Sequence, residues 1–392
     1  MLIEITFAII IGILAGTLTG LTPGIHINLI GALLLSTFLL PINSLYLIIF
    51  IISMSITHTF IDFIPSIILG CADTDTELGI LPGHKLLQNR KGYEAIILTT
   101  YGSLIAIFII TIIAFPSLFL IKKAYPFLEK IIPYFLILIS IILISTERKK
   151  LTALKIFLLT GFLGYSITFL EINQPLLPLL TGLFGSSIII QSIKNKTKIP
   201  EQTITKPFLK FKKPILASLC AAPLCSFLPG LGSGQAGLIG NLFTKNNPKE
   251  FLTLLGITNT LVMSFSIVTL FAIEKTRTGS AAFIGEIIPS LDTKYLILIL
   301  FAVVISGIAS FYLTIYLGKI VSLNVSRINY KILAFVTLGI LVLVIGLISD
   351  WLGLGVFIIS TVTGLYALQF RVRRTNMMGA LMIPSIIFYL IR

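Results

Sequence analysis

The stretch Ser55-Ile56-Thr57-His58-Thr59-Phe60-Ile61-Asp62 places an imidazole and a carboxylate four residues apart inside an apolar run from Leu45 to Leu69. On a helix, residues i and i+4 share a face, so His58 and Asp62 could act on one ligand together. Imidazole is the side chain whose charge ordinarily changes near neutral pH, and a carboxylate beside it can share its proton. The chemistry this pair suggests is uptake and release of a coupling proton. Two hundred residues later, Ile257-Thr258-Asn259-Thr260 repeats Ile56-Thr57-His58-Thr59 with asparagine in place of histidine. Asparagine does not titrate but both donates and accepts hydrogen bonds. Thr57, His58, Thr258 and Asn259 are therefore candidate substrate-binding residues, and His58 and Asp62 candidate coupling-ion groups. The bland alternative is a neutral histidine bonded to a backbone carbonyl, with Asp62 near a membrane interface.

Two other patterns carry chemistry. GLTPGIHIN (20 to 28) and SFLPGLGSG (226 to 234) each hold a proline-glycine pair, Pro23-Gly24 and Pro229-Gly230, 206 residues apart, whereas the ITHT and ITNT runs are 201 apart. Proline has no N–H and glycine permits φ values that other residues resist, so each pair ends one helix and opens another. The new helix presents free N–H groups at the positive end of its dipole, a seat for a carboxylate or a phosphate. Pro23, Gly24, His26 and Asn28 in one copy, and Pro229, Gly230, Ser233 and Gln235 in the other, are candidate substrate-binding residues on this argument. The alternative is a plain interfacial turn. The third pattern is Asp73, Asp75 and Glu77, and an offset of 201 sets Glu274 opposite Asp73. Spaced carboxylates can hold Mg²⁺ against a diphosphate, as a membrane-embedded prenyl- or phospho-transfer enzyme would need. Such an enzyme calls for a second acidic cluster, but Glu274 stands with Lys275 and Arg277. The four acids are better read as candidate coupling-ion residues, and no catalytic residue is assigned. Cys71, Cys220 and Cys225 have no metal-ligand spacing, so neither a metal nor another cofactor is expected.

The elements that must position these groups are membrane helices. Of 392 residues 56% are hydrophobic and 11% charged, with mean hydropathy +1.05, against about 25% charged in soluble domains. Apolar windows long enough to cross a bilayer recur along the whole chain, and in lipid such windows mean helices. The first starts at Leu2 with no basic flank and reads as a mature element, not a signal peptide. Segments are predicted at 2–21, 25–40, 44–70, 94–121, 127–145, 151–170 and 175–192, and again at 213–228, 232–244, 251–273, 294–317, 330–349, 351–370 and 376–391. The matched order, with the matched motifs, predicts an internal repeat: residues 1–192 and 214–392, joined by a linker at 193–213.

That linker holds seven lysines against Glu201, which places it in the cytoplasm. Counting crossings outward puts 84–94, Arg148 to Lys150, 318–331 and Arg371, Arg373 and Arg374 inside, and Glu171, Asp292 and Asp350 outside; only Lys122 and Lys123 disagree. Each half then crosses an odd number of times, so the halves are inverted and both termini lie outside. The net charge of +14 follows from this basic cytoplasmic face and does not point to nucleic acid. The expected fold is all-α: a polytopic integral membrane protein of two inverted repeats, each of about seven hydrophobic segments, with broken or re-entrant helices at the Pro-Gly motifs. Inverted repeats with interrupted helices are a recurring plan of secondary transporters.

The runs GTLTGLTPGIHINLIGALLL and PGLGSGQAG resemble the TctA family, the large permease subunit of tripartite tricarboxylate transporters, and SITHTFIDFIPSIILGCADTDTELGILPGHKLL, LLPLLTGLFG and VRRTNMMGALMIPSI resemble an archaeal branch of it. The resemblance covers essentially the whole chain. It implies a multi-pass cell-membrane permease that moves a small organic anion, a carboxylate by its family, coupled to a proton or sodium gradient by alternating access. It also implies a small membrane subunit and an extracytoplasmic binding protein as partners; a homodimer is compatible with the sequence. Asp73, Asp75 and Glu77 depart from the uncharged tip that the family's carboxylate permeases tend to carry here. Acids at an anion's entrance repel it unless a cation is bound. The alternative function is a polyprenyl-phosphate flippase that seats the phosphate at the same helix termini while the tail stays in lipid.

Overall fold

The computed structural model describes residues 2–22, 43–69, 76, 79–195, 200–227, 232–276, 278–287, 292–327, 330–370 and 372–391, and among them the regular structure is helical. The first half provides α1 (Leu2–Leu21), α2 (Ser44–Ile61), α3 (Phe63–Leu69), α4 (Ile80–Gln88), α5 (Gly92–Ser145), α6 (Lys150–Ile167) and α7 (Leu176–Leu180), which runs through a π-helical turn at Thr181–Ser186 into α8 (Ser187–Asn195). The second half provides α9 (Lys212–Phe227), α10 (Ser233–Thr244), α11 (Pro248–Ile273), α12 (Gly279–Ile287), α13 (Thr293–Asn324), α14 (Tyr330–Ile348), α15 (Asp350–Gln369) and, after a 3-10 turn at Arg374–Met378, α16 (Gly379–Ile391).

The predicted segments recur as helices with three differences. Residues 94–121 and 127–145 form one helix, α5: Lys122-Lys123-Ala124 are good helix formers, and Pro126 in the same joint does not end the helix. The run 44–70 is divided at Asp62: Pro65 lacks the N–H that would bond the Ile61 carbonyl, four residues back. The short helices α4 and α12 were not anticipated, and they occupy matched places between the third and fourth segments of each half. Among the described residues eight helical stretches are long and apolar enough to cross a bilayer, four in each half. The predicted segment 25–40 lies outside the described residues.

The chain divides into two compact units, and each takes elements from both halves. The first contains residues 1–123, 198–227 and 232–328, the second 124–197, 228–231 and 329–392. In the first unit α2 and α11 are the central helices: 94% of each crossing window is buried, against half or less for the others. Both start at an asparagine cap. Asn43 accepts from the Leu45 N–H; Asn247 accepts from Lys249 and Glu250, whose carboxylate bonds back to the Asn247 N–H, with Pro248 as the first helical residue. Their serines and threonines return hydroxyls to carbonyls of the preceding turn, as Ser55 does to Ile51 and Ser264 to Thr260, so a polar side chain in an apolar helix needs no water. α1 packs closely on α2 through Gly12, Gly16 and Gly20, one glycine per turn; a Cβ on Gly12 would stand 2.7 Å from the Phe50 carbonyl oxygen and one on Gly16 would strike the Met54 carbonyl. In the second half α9 packs on α11 as α1 does on α2. α5 and α13 run in opposite directions where they meet, since Gly307 lies against Ile107 and Gly318 against Ile96.

Two stretches that the charge count put inside, 84–94 and the linker 193–213, meet in this unit, and the start of α11 joins them. The Gln202 side chain accepts from the Gly92 N–H at 2.8 Å and donates to the Leu87 carbonyl at 3.1 Å, Thr203 bonds twice to the Arg90 carbonyl, and Lys249 pairs with Glu94. In the second unit Glu147 accepts from the Arg373 N–H at 3.1 Å and from Asn376 Nδ2 at 3.2 Å. The second unit also repeats itself: α16 packs on α6 as the π-helical turn packs on α15, Gly379 against the Phe157 carbonyl and Gly182 against the Phe357 carbonyl. Tyr165 and Phe169 form an edge-to-face pair with centroids 5.0 Å apart, and Tyr366 and Phe370, 201 residues on, form another at 4.7 Å.

Candidate functional site

The residues of the ITHT and ITNT runs meet in the first unit. Thr59 Oγ1 lies 3.0 Å from Thr260 Oγ1, and these two residues are 201 apart, the offset that separates the motifs. Asn259 Nδ2 donates to Asp62 Oδ2 at 2.8 Å and to the Thr59 carbonyl at 3.3 Å, while Ser233 Oγ donates to Asn259 Oδ1 at 3.3 Å. His58 Nδ1 is 3.0 Å from Thr19 Oγ1. That hydroxyl donates to the Gly16 carbonyl, which makes the imidazole nitrogen the donor to it. Ser310 of α13 donates to Thr57 Oγ1 at 2.9 Å, and Ser55 meets Ser280 of α12 at 2.6 Å. All of these side chains are buried, Asp62 at 5% exposure, Asn259 at 4% and His58 at 3%.

Ionisable and amide groups deep in a helical bundle are costly, and they persist where they pair with one another or serve a ligand. This cluster offers a row of hydroxyls, one amide, one imidazole and one carboxylate drawn from α1, α2, α10, α11, α12 and α13. Among the described residues no lysine or arginine takes part in its hydrogen bonds. Such a lining can hold an anion only by neutral donors, and it can hold a cation at Asp62. By contrast, a groove of about 470 Å³ in the second unit, lined by Tyr165, Thr168, Pro384, Ile387, Phe388 and Ile391, is mainly apolar.

Of the candidates drawn from the sequence, Thr57, His58, Asp62, Asn259 and Ser233 are brought together here. Thr258 lies on α11 beside them and returns its hydroxyl to Leu255; the face of Gly237 lies near it. Gln235 belongs to the first turn of α10. Glu274 stands apart, exposed at the C-terminal end of α11 with φ of 55°, fifteen residues and so about 22 Å along the helix from Asn259. Pro23, Gly24, His26, Asn28, Asp73, Asp75, Glu77, Pro229 and Gly230 lie outside the described residues. Sequence reading missed Thr19, Ser310, Ser280 and the contact between Thr59 and Thr260. A hydroxyl in an apolar helix carries no signal of what it faces. The Thr59 contact was available from the offset of 201 that separates the two runs, since Thr59 and Thr260 are that far apart.

Comparison with known proteins gives a family and a relative. The family model described as "Tripartite tricarboxylate transporter TctA family" matches residues 6–379. An uncharacterized protein of Methanocaldococcus jannaschii is 32% identical over 403 residues, covering 97% of this chain and 98% of that protein. No solved structure matches.

Proposed function

This chain belongs to the tripartite tricarboxylate transporter TctA family, and from that premise we propose that it is the permease of a secondary transporter moving a small organic anion by alternating access, driven by a proton or sodium gradient. Membership in a transporter family and eight apolar helices of crossing length make it a multi-pass membrane protein. The cell membrane is the compartment that the proposed task requires. A tripartite system has two further parts, and on the earlier resemblance these are a small membrane subunit and an extracytoplasmic binding protein.

One observation carries the reading: the bond between Thr59 and Thr260 across the repeat offset, flanked by Asn259 reaching Asp62 in the other half. In transporters built from two related halves the substrate and ion sites lie where the halves meet. The cluster is such a meeting point, and Ser233 ties it to the start of α10, four residues after Pro229. The opposite directions of α5 and α13, and the packing of α9 on α11 as of α1 on α2, support the inverted relation between 1–192 and 214–392. In this reading Thr57, His58, Thr258 and Asn259, with the Pro-Gly helix starts at Pro23-Gly24 and Pro229-Gly230, line the anion's path.

The test is uptake of labelled citrate and smaller carboxylates into proteoliposomes under an imposed sodium or pH gradient. Accumulation against the substrate gradient is expected. Vesicles that accumulate no carboxylate but scramble a polyprenyl phosphate would replace this function with that of a lipid carrier.

A further inference from the structure

The bonds around Asn259 single out one carboxylate. The Thr59 carbonyl can only accept, so the atom facing it is the amide nitrogen, and that nitrogen's other partner, Asp62 Oδ2, is an acceptor as well. Asn259 Oδ1 takes the Ser233 hydroxyl. One side chain of the second half is thus shared between a carboxylate of the first half and the first residue of α10. The halves are unequal at this point, since the residue 201 after Asp62 is Met263. His58, the other ionisable group, bonds Thr19 within its own half.

We propose that Asp62 is the seat of the monovalent cation, proton or sodium, whose gradient drives transport, and that Asn259 positions it and passes its occupancy to Ser233. This rests on the transport reading and adds which group carries the coupling ion. A buried ionised carboxylate is costly away from water, and a bound cation removes most of that cost. A hydrogen bond to an ionised acceptor is roughly twice as strong as one to a neutral acceptor. The empty carboxylate therefore holds Asn259 tightly, and cation binding loosens that hold and lets the amide follow Ser233. By linkage, an anion whose binding shifts Ser233 changes the cation affinity of Asp62 by the same factor by which the cation changes the anion's.

Among the described residues, the elements packed against α2 and α3 present mainly uncharged groups to Asp62. Gly20 of α1 lies against its backbone nitrogen, Asn259 comes from α11, and α12 and α13 reach α2 through Ser280 and Ser310. The charged groups and histidines on those elements are Glu4 on α1, Lys249 and Glu250 on α11, Glu286 on α12, Lys294 and Lys319 on α13 and His84 and Lys85 on α4, each of the first six being six or more residues from the contacting position named. On its own helix the titratable neighbour is His58, one turn away.

The test uses purified full-length protein, with melting temperature read in sodium against choline at about pH 8, and in choline alone from about pH 5 to about pH 8. Wild type should be stabilised by one of the two cations, and the arm that responds names it. Asp62→Asn should remain folded, because its amide oxygen still accepts from Asn259, and should lose that response. Asn259→Ala should weaken the apparent cation affinity about tenfold or more, as loss of a positioning partner does at ion sites. His58→Asn should keep the response. A wild type indifferent to both cations, or an Asp62→Asn variant that responds as wild type does, overturns the proposal. In proteoliposomes Asp62→Asn should still exchange external for internal citrate but no longer accumulate it. If wild type accumulates carboxylate and Asp62→Asn does so equally, this inference alone fails. If wild type moves no carboxylate yet keeps an Asp62-dependent cation response, the transport reading fails and a cation site remains.

Discussion

Thr59 and Thr260 are the residues at which the two halves touch through matched positions, and the hydroxyl chain there has a direction. Thr59 Oγ1 donates to the Ile56 carbonyl at 2.8 Å, which leaves Thr260 as the donor to Thr59. Removing one partner strands the other in a buried site, whereas removing both leaves an apolar contact. Thr59→Val should therefore cost about 1–2 kcal/mol of stability, and adding Thr260→Val should cost clearly less than the sum of the two single changes. Denaturation of the purified variants in a double-mutant cycle checks this; additive losses would mean that the hydroxyls do not interact. The His58 bond to Thr19 has a different consequence. Asparagine places its Nδ2 where the imidazole has Nδ1, so His58→Asn should keep the bond to Thr19, whereas His58→Leu should lose it, loosen α1 from α2 and lower the melting temperature.

At the scale of elements, the close approach of α1 to α2 depends on glycines that leave carbonyls within reach of the neighbouring backbone. Gly16→Leu would drive a side chain into the Met54 carbonyl and Thr57, with no flexible atom to yield. The expected loss is about 3 kcal/mol or more, read as a lower melting temperature or failure to purify as a monodisperse species. Gly355 on α15 is the contrast, since a Cβ there meets nothing within 4 Å. Gly355→Ala should be neutral to slightly stabilising, by up to about 1 kcal/mol, because alanine is the better helix former. Equal effects at the two sites would show that helix propensity, and not packing, limits stability. The same logic explains why the break at Asp62 matters. Pro65 offers no N–H to the Ile61 carbonyl, and the Asp62 carboxylate follows directly on that residue.

At the scale of the molecule, the arrangement of charge predicts which face meets the cytoplasm. Gln202 and Thr203 of the linker bond the Leu87–Gly92 turn, and Phe208 beyond them is 79% exposed. In a background without native cysteines, Phe208→Cys should react with a membrane-impermeant thiol reagent only from the cytoplasmic side. Trp351, exposed beside Asp350, should as Trp351→Cys react only from outside. Labelling of both from one side would overturn the inverted topology. Lys249, at the start of α11, pairs with Glu94 of a stretch counted as inside.

Much of this was legible in the chain. Low charge and long apolar windows sufficed for an all-α membrane protein, because backbone groups in lipid must bond within their own segment. The ITHT and ITNT runs located residues that meet between α2 and α11. What the sequence could not supply was partner choice. Lys122 and Lys123 looked like a joint and lie within one continuous helix, because local charge does not interrupt helical hydrogen bonds. His58 and Asp62 read as a pair on one face, and to that face the fold adds Thr19 as a partner of His58 and Asn259 as a partner of Asp62. Spacing along a helix fixes which side chains can point the same way, but hydrogen bonds form with whatever the neighbouring helices bring into reach, and only tertiary packing decides that.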